Sequence, residues 1–207
     1  MKKPVPETML SPRKDATKLW GLWALLAIPA IAVLGQDILS SGKYEYLRWT
    51  GLLSVWFLLV TLAASPLRRL APHLSWVRWL RKNRRYMGVA SFWYASFHLA
   101  YFVKEASVGS FMRSFVRLEI ITGWVAWFIF VALTITSFDA MIRRMGPAAW
   151  RRLHWHVYTA AILTALHWAM TSYRFLEMAL YISPLVLLMV LSRSQANQSA
   201  PFDTRSE

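Results

Sequence analysis

The sequence predicts an all-α, polytopic membrane bundle of about six transmembrane helices. Three observations predict it. Of its 207 residues, 57% are hydrophobic, against roughly 45–50% in ordinary globular domains. Those residues fall into long runs without charge. The Lys and Arg residues collect between the runs, mostly on one side of the bundle that the runs imply.

A helix needs about 20 apolar residues to cross the hydrocarbon core, with a range of roughly 17–25. Uncharged runs extend over Leu19–Gln36, Trp49–Leu67, Tyr86–Val103, Ile120–Phe138 and Leu153–Tyr173. A sixth, Met178–Ser192, is shorter and can be extended through Phe175 and Leu176. The first run reads as a span and not as a cleavable signal, since no small-residue cleavage site follows it. Residues 1–18 carry Pro4, Pro6 and Pro12 among charges and read as a disordered cytoplasmic tail, as do residues 194–207. Residues 19–193 are then the membrane domain. No internal repeat is evident. Arg68–Arg85 is the longest loop, with Trp76 and Trp79 spaced for an interfacial helical turn. In the loop Asp139–Arg152, Gly146-Pro147 is expected to end one helix and start the next.

The formal net charge is +14, but its placement argues for topology and against nucleic acid. With six spans both termini share one side. Of the 24 Lys and Arg residues only Lys43, Arg48, Lys104, Arg113, Arg117 and Arg174 fall on the other side. Basic residues accumulate in cytoplasmic loops, so both termini are expected in the cytoplasm. The basic face also suits anionic lipid or an acidic partner. With no Cys, thiolate metal sites, iron–sulfur clusters and disulfides are excluded. There is no G-x-G-x-x-G and no P-loop, so nucleotide chemistry must come from another protein.

Four of the five histidines, His98, His154, His156 and His167, lie in or at the ends of spans; His73 lies in the basic loop. Ionisable groups inside a membrane are costly and mark function, although a single neutral imidazole can also serve as a hydrogen bond between helices. His98 lies about five residues from the outer end of span 3, roughly 7–8 Å deep, and His167 about six residues from the outer end of span 5, roughly 9 Å deep. Two imidazoles at one depth on separate helices can take both axial positions of a haem iron. His154 is 13 residues from His167, about 19–20 Å along the axis, a suitable separation for a second redox centre. Its phase is off by roughly 140°, whereas His156 is almost in phase with His167, and spacing does not choose between them. Counting 13 or 14 residues back from His98 reaches Arg85 and Arg84. Arginine cannot ligate iron, though it can pair with a propionate.

Arg84-Arg85-Tyr86-Met87-Gly88 leading to Ser96-Phe97-His98-Leu99 resembles the third span of the MsrQ (YedZ) family. So does Thr134-Ile135-Thr136-Ser137 through Ala140-Met141 to Gly146, Trp150 and Leu153-His154, closing with Val157-Tyr158 and His167. Gly51 and Ser65-Pro66-Leu67 resemble the second span. The resemblance covers roughly residues 45–170. It implies the ferric-reductase-like transmembrane fold and one or two b-type haems. It also implies His98, His154 and His167 as axial iron ligands, with His154 favoured over His156. Further implications are a bacterial inner membrane, FMN as a family cofactor, and a cytosolic flavin reductase or the quinone pool as donor. The implied acceptor is MsrP, a periplasmic molybdopterin enzyme that reduces methionine sulfoxide in oxidised proteins. The chain would then be an electron-transfer subunit and no enzyme on its own. The alternatives are a ferric or quinone reductase on the same scaffold and a small proton-coupled transporter.

Overall fold

A computed structural model describes residues 12–40 and 43–198. Among the described residues every regular element is helical, and the fold class is the predicted one. Six long helices, α1 (Pro12–Ser40), α2 (Lys43–Leu70), α3 (Ser75–Glu105), α5 (Leu118–Ile135), α8 (His156–Ser172) and α9 (Phe175–Gln198), alternate in direction. Three short ones connect them: α4 (Val108–Ser114), α6 (Asp139–Met145) and α7 (Pro147–His154). The segments Glu45–Leu70, Leu118–Ile135 and Phe175–Gln195 are long and apolar enough to cross a membrane, and Trp20–Val33 is a shorter apolar stretch. The protein is a membrane protein. Leu25, Ile28 and Ile31 of α1, Val125 and Phe128 of α5, and Leu180, Val186, Leu187 and Val190 of α9 are exposed. Apolar faces of that extent need a lipid surrounding.

Several boundaries differ from the sequence reading. Helix α1 starts at Pro12, seven residues before Leu19, because proline suits the first helical position and charged residues continue a helix beyond the hydrocarbon. The tail expected over residues 1–18 is therefore helical from Pro12; residues 1–11 lie outside the described residues. Likewise α9 runs to Gln198, past the expected end at Ser192, and residues 199–207 lie outside the described residues. Trp76 and Trp79 do not form a separate turn. They belong to the first turns of α3, a 31-residue helix, about 46 Å long, which exceeds the roughly 30 Å hydrocarbon core and carries the basic end beyond it. The stop at Gly146 is as expected: its φ of 78° favours glycine, and Pro147 opens α7.

Helix α2 packs most extensively on α3 and α5 on α8, with α9 against α2. Small residues allow the close approach: Ala64, Ser91 and Ala160 are fully buried. Ser54 Oγ donates to the Ser91 carbonyl, and Ser91 Oγ donates back to the Ser54 carbonyl, each at 2.9 Å. Leu58 and Leu62 of α2, Phe130 of α5 and Ala160 of α8 form the central core. Leu22 and Leu26 of α1 pack with Ala64, Leu80, Met87 and Ala90, and Tyr94 Oη donates to the Leu26 carbonyl at 2.8 Å. The two helix pairs therefore stand side by side, with one histidine-bearing helix in each.

Candidate functional site

Helix α3 carries His98 and α8 carries His167, both towards the end of the bundle opposite the Arg-rich start of α3. Their ring centroids lie 6.2 Å apart, with the planes at 90°. Each ring is held from behind. His98 Nδ1 lies 2.9 Å from the Leu47 carbonyl oxygen of α2, and His167 Nδ1 lies 2.6 Å from the Glu119 carbonyl oxygen of α5. A carbonyl oxygen only accepts, so Nδ1 carries the proton in each ring and Nε2 keeps its lone pair. A backbone acceptor behind one nitrogen is the support that a metal-ligating imidazole commonly has.

Glycine makes the room on both sides. A Cβ placed on Gly51 would stand 3.0 Å from His98 Nδ1 and 3.1 Å from Cε1; one placed on Gly123 would stand 2.8 Å from His167 Nδ1 and 2.9 Å from Cε1. Each glycine follows its carbonyl by four residues and is preceded by a threonine, in Leu47-Arg48-Trp49-Thr50-Gly51 and Glu119-Ile120-Ile121-Thr122-Gly123. The hydroxyl of Thr50 reaches the Leu47 carbonyl at 3.2 Å, and that of Thr122 the Glu119 carbonyl at 2.8 Å. The two halves of the bundle thus use one device twice, although the sequence shows no repeat. Leu47, Thr50, Glu119, Thr122 and Gly123 were not legible as site residues; Gly51 entered only through the resemblance. The recurring Thr-Gly pair, 72 residues apart, is the signal that could have found them.

The pair suits one kind of metal group. An imidazole nitrogen binds a transition metal at about 2.0–2.1 Å and lies about 1.1–1.2 Å from its ring centre, so two rings flanking one iron stand about 6.2–6.6 Å apart. The observed 6.2 Å matches. Among the described residues no group of three or more His, Cys, Asp or Glu could hold a bare ion. Two imidazoles suit a metal whose remaining positions a macrocycle fills, which fits haem. The indole N–H of Trp124, next to Gly123, is buried without an acceptor among the described residues.

His154 closes α7 at the basic end. Its Nε2 lies 3.2 Å from Thr136 Oγ1, and its ring stacks on Trp150 with centroids 4.0 Å apart. Trp150 Nε1 donates to the Thr136 carbonyl at 2.9 Å. The chain tightens at Trp155, whose backbone stays helical: Tyr158 N donates to the Trp155 carbonyl at 3.1 Å before α8 proceeds. His156 is exposed, as is His73. Arg84 donates to Ser65 Oγ at 2.8 Å and lies within Coulombic reach of His154. Arg85 pairs with Asp139. Its hydrogen bond and charge hold the Asp139 carboxyl below the usual carboxylate range.

The sequence matches the ferric reductase like transmembrane component family over residues 50–165. The heme-binding subunit MsrQ of protein-methionine-sulfoxide reductase from Herminiimonas arsenicoxydans is 33% identical over 184 residues, covering 82% of this chain and 83% of its own. The MsrQ of Azospira oryzae is 32% identical over 209 residues, covering 95% and 87%. That of Ralstonia nicotianae is 29% identical over 195 residues, covering 89% and 88%. The chain belongs to the MsrQ family. No solved structure matches it. In this MsrQ-family chain the matched segment opens at Thr50, holds Gly51, His98, Thr122, Gly123 and His154, and stops two residues short of His167.

Proposed function

We propose that this MsrQ-family chain is a haem b membrane subunit that carries electrons across the bacterial inner membrane. Electrons come from a cytosolic flavin reductase or the quinol pool and leave to MsrP, the periplasmic molybdopterin enzyme that repairs methionine sulfoxide in oxidised proteins. The observation that carries the reading is the imidazole pair at 6.2 Å, each ring backed by a carbonyl. The relatives' name, heme-binding subunit of protein-methionine-sulfoxide reductase, supports it.

Haem, when bound, supplies one-electron chemistry at its iron. The chain does the rest. His98 and His167 would hold the iron through Nε2, their Nδ1–H groups tied to Leu47 and Glu119. The surrounding apolar helices would limit the access of water to the iron. His154 would serve the basic end, about 19–20 Å from His167 along the axis. Arg84 beside it offers positive charge to a propionate. The excess of Lys and Arg at that end supports a cytoplasmic side for it and for both termini; on this reading electrons enter near His154 and leave near His98 and His167. FMN is the family's other implied cofactor, and the flavin content of the purified protein tests it.

Proton relay finds little support, because both Nδ1–H groups are committed to backbone carbonyls. A ferric or quinone reductase would share the haem and differ in acceptor. Detergent-purified protein should show a b-type absorption spectrum, and His98→Ala or His167→Ala should abolish the outer haem. Unchanged haem content in both variants would refute the assignment. Reoxidation of reduced membranes by added molybdopterin enzyme, faster than by ferric iron or quinone, separates the acceptors.

A further inference from the structure

Resting on the haem reading, we propose that Thr50-Gly51 and Thr122-Gly123 are paired positioning elements. They set the orientation and the donor strength of His98 and His167. The glycines do the first. Both imidazoles press edge-on against a neighbouring helix at the one place in it without a Cβ, at 3.0 Å for Gly51 and 2.8 Å for Gly123. In that position the carbonyl of Leu47 or Glu119, one turn earlier, comes within reach of Nδ1, and taking it fixes both the tautomer and the rotation of the ring. Two rings fixed this way from opposite sides of the bundle cross at 90°.

The threonines do the second. A helical carbonyl already accepts the N–H four residues on, and a carbonyl has two lone pairs. The imidazole N–H must therefore share its acceptor with the threonine hydroxyl. A stronger Nδ1–H bond puts more electron density on the ring and makes Nε2 a better donor, which stabilises ferric over ferrous iron. The threonine thereby limits how far its histidine lowers the potential. The two halves differ. Thr122 Oγ1 is spent on the Glu119 carbonyl at 2.8 Å. Thr50 Oγ1 bonds chiefly to the Tyr46 carbonyl at 2.8 Å and reaches that of Leu47 only at 3.2 Å. Removal of the Thr122 hydroxyl should consequently matter more.

The test uses the full-length protein in detergent, with haem content, a redox titration and ferric electron paramagnetic resonance. Crossed imidazole planes give a strongly anisotropic low-spin signal. Thr122→Val should lower the midpoint, changing the oxidised-to-reduced ratio at a fixed potential roughly two- to tenfold, the span of one net hydrogen bond. Thr50→Val should change it less, and Thr122→Ser should restore it. Gly123→Ala should cut haem retention roughly tenfold or more, the range for loss of outer-shell support, and alter the anisotropy of what remains. Gly51→Ala should do so more mildly. If haem binds and the threonine variants titrate like the parent, or Thr50→Val shifts at least as far as Thr122→Val, this inference fails alone. A parent protein that binds no haem overturns it together with the proposed function.

Discussion

Helices α2 and α3 run antiparallel, and the reciprocal Ser54–Ser91 bonds sit two turns from the contact between the Leu47 carbonyl and His98 on both helices. At 1.5 Å per residue that is about 10 Å along the axis, close enough for the serine pair to hold the register on which the histidine contact depends. Ser54→Ala removes one hydroxyl donor and Ser91→Ala the other. Neither strands a buried polar group, since each remaining hydroxyl still donates to the partner's backbone. Interhelical hydrogen bonds in membranes average about 0.6 kcal/mol, with a ceiling near 1.7. Each single variant should therefore cost about 0.6 kcal/mol and the double variant about 1.2, a fall in Tm of about 2–5 °C for the double variant. The hydroxyls themselves are 3.4 Å apart, so the coupling in a double-mutant cycle should be small. The assay is reversible unfolding in mixed detergent micelles, followed by helical content. The haem spectrum is recorded in parallel, and a small loss of bound haem should appear in the double variant only. A double variant as stable as the parent, or a single variant that loses as much as the double, would refute the reasoning.

Two further outcomes follow from the basic end. Asp139 titrates below its ordinary value because of Arg85, so its contribution to stability is complete above the unfolded carboxylate value of about 3.9 and is lost as the pH falls through the folded value. Asp139→Asn should flatten the acid limb of a Tm-against-pH curve and leave neutral pH nearly unchanged; an identical acid limb would count against the pair. His156 is exposed where His154 is tucked against Thr136 and Trp150. His156→Ala should therefore leave haem content and spectrum as in the parent, and a loss as large as that of His98→Ala would overturn this placement.

The extents of the helices show where local reasoning stopped short. Absence of charge marked the stretch each helix spends in hydrocarbon, so the spans stood out. It could not mark where a helix ends in the headgroup layer. There, charged and polar residues continue α1 back to Pro12, α3 back to Ser75 and α9 on to Gln198. An ideal 100° step did not separate His154 from His156; the structure tucks His154 against Thr136 and Trp150 and leaves His156 exposed.

What the sequence indicated by itself was the membrane, six long helices and matching positions for His98 and His167 along theirs. All three depend on distances along single helices, and those are set by rise per residue and by the cost of burying charge in lipid. Only the tertiary structure decided that the two rings face one another at 6.2 Å and which groups stand behind them. Those groups are two backbone carbonyls and the missing side chains of two glycines. A carbonyl has no letter in the sequence, and an absent Cβ acquires meaning only when another helix comes to occupy its place.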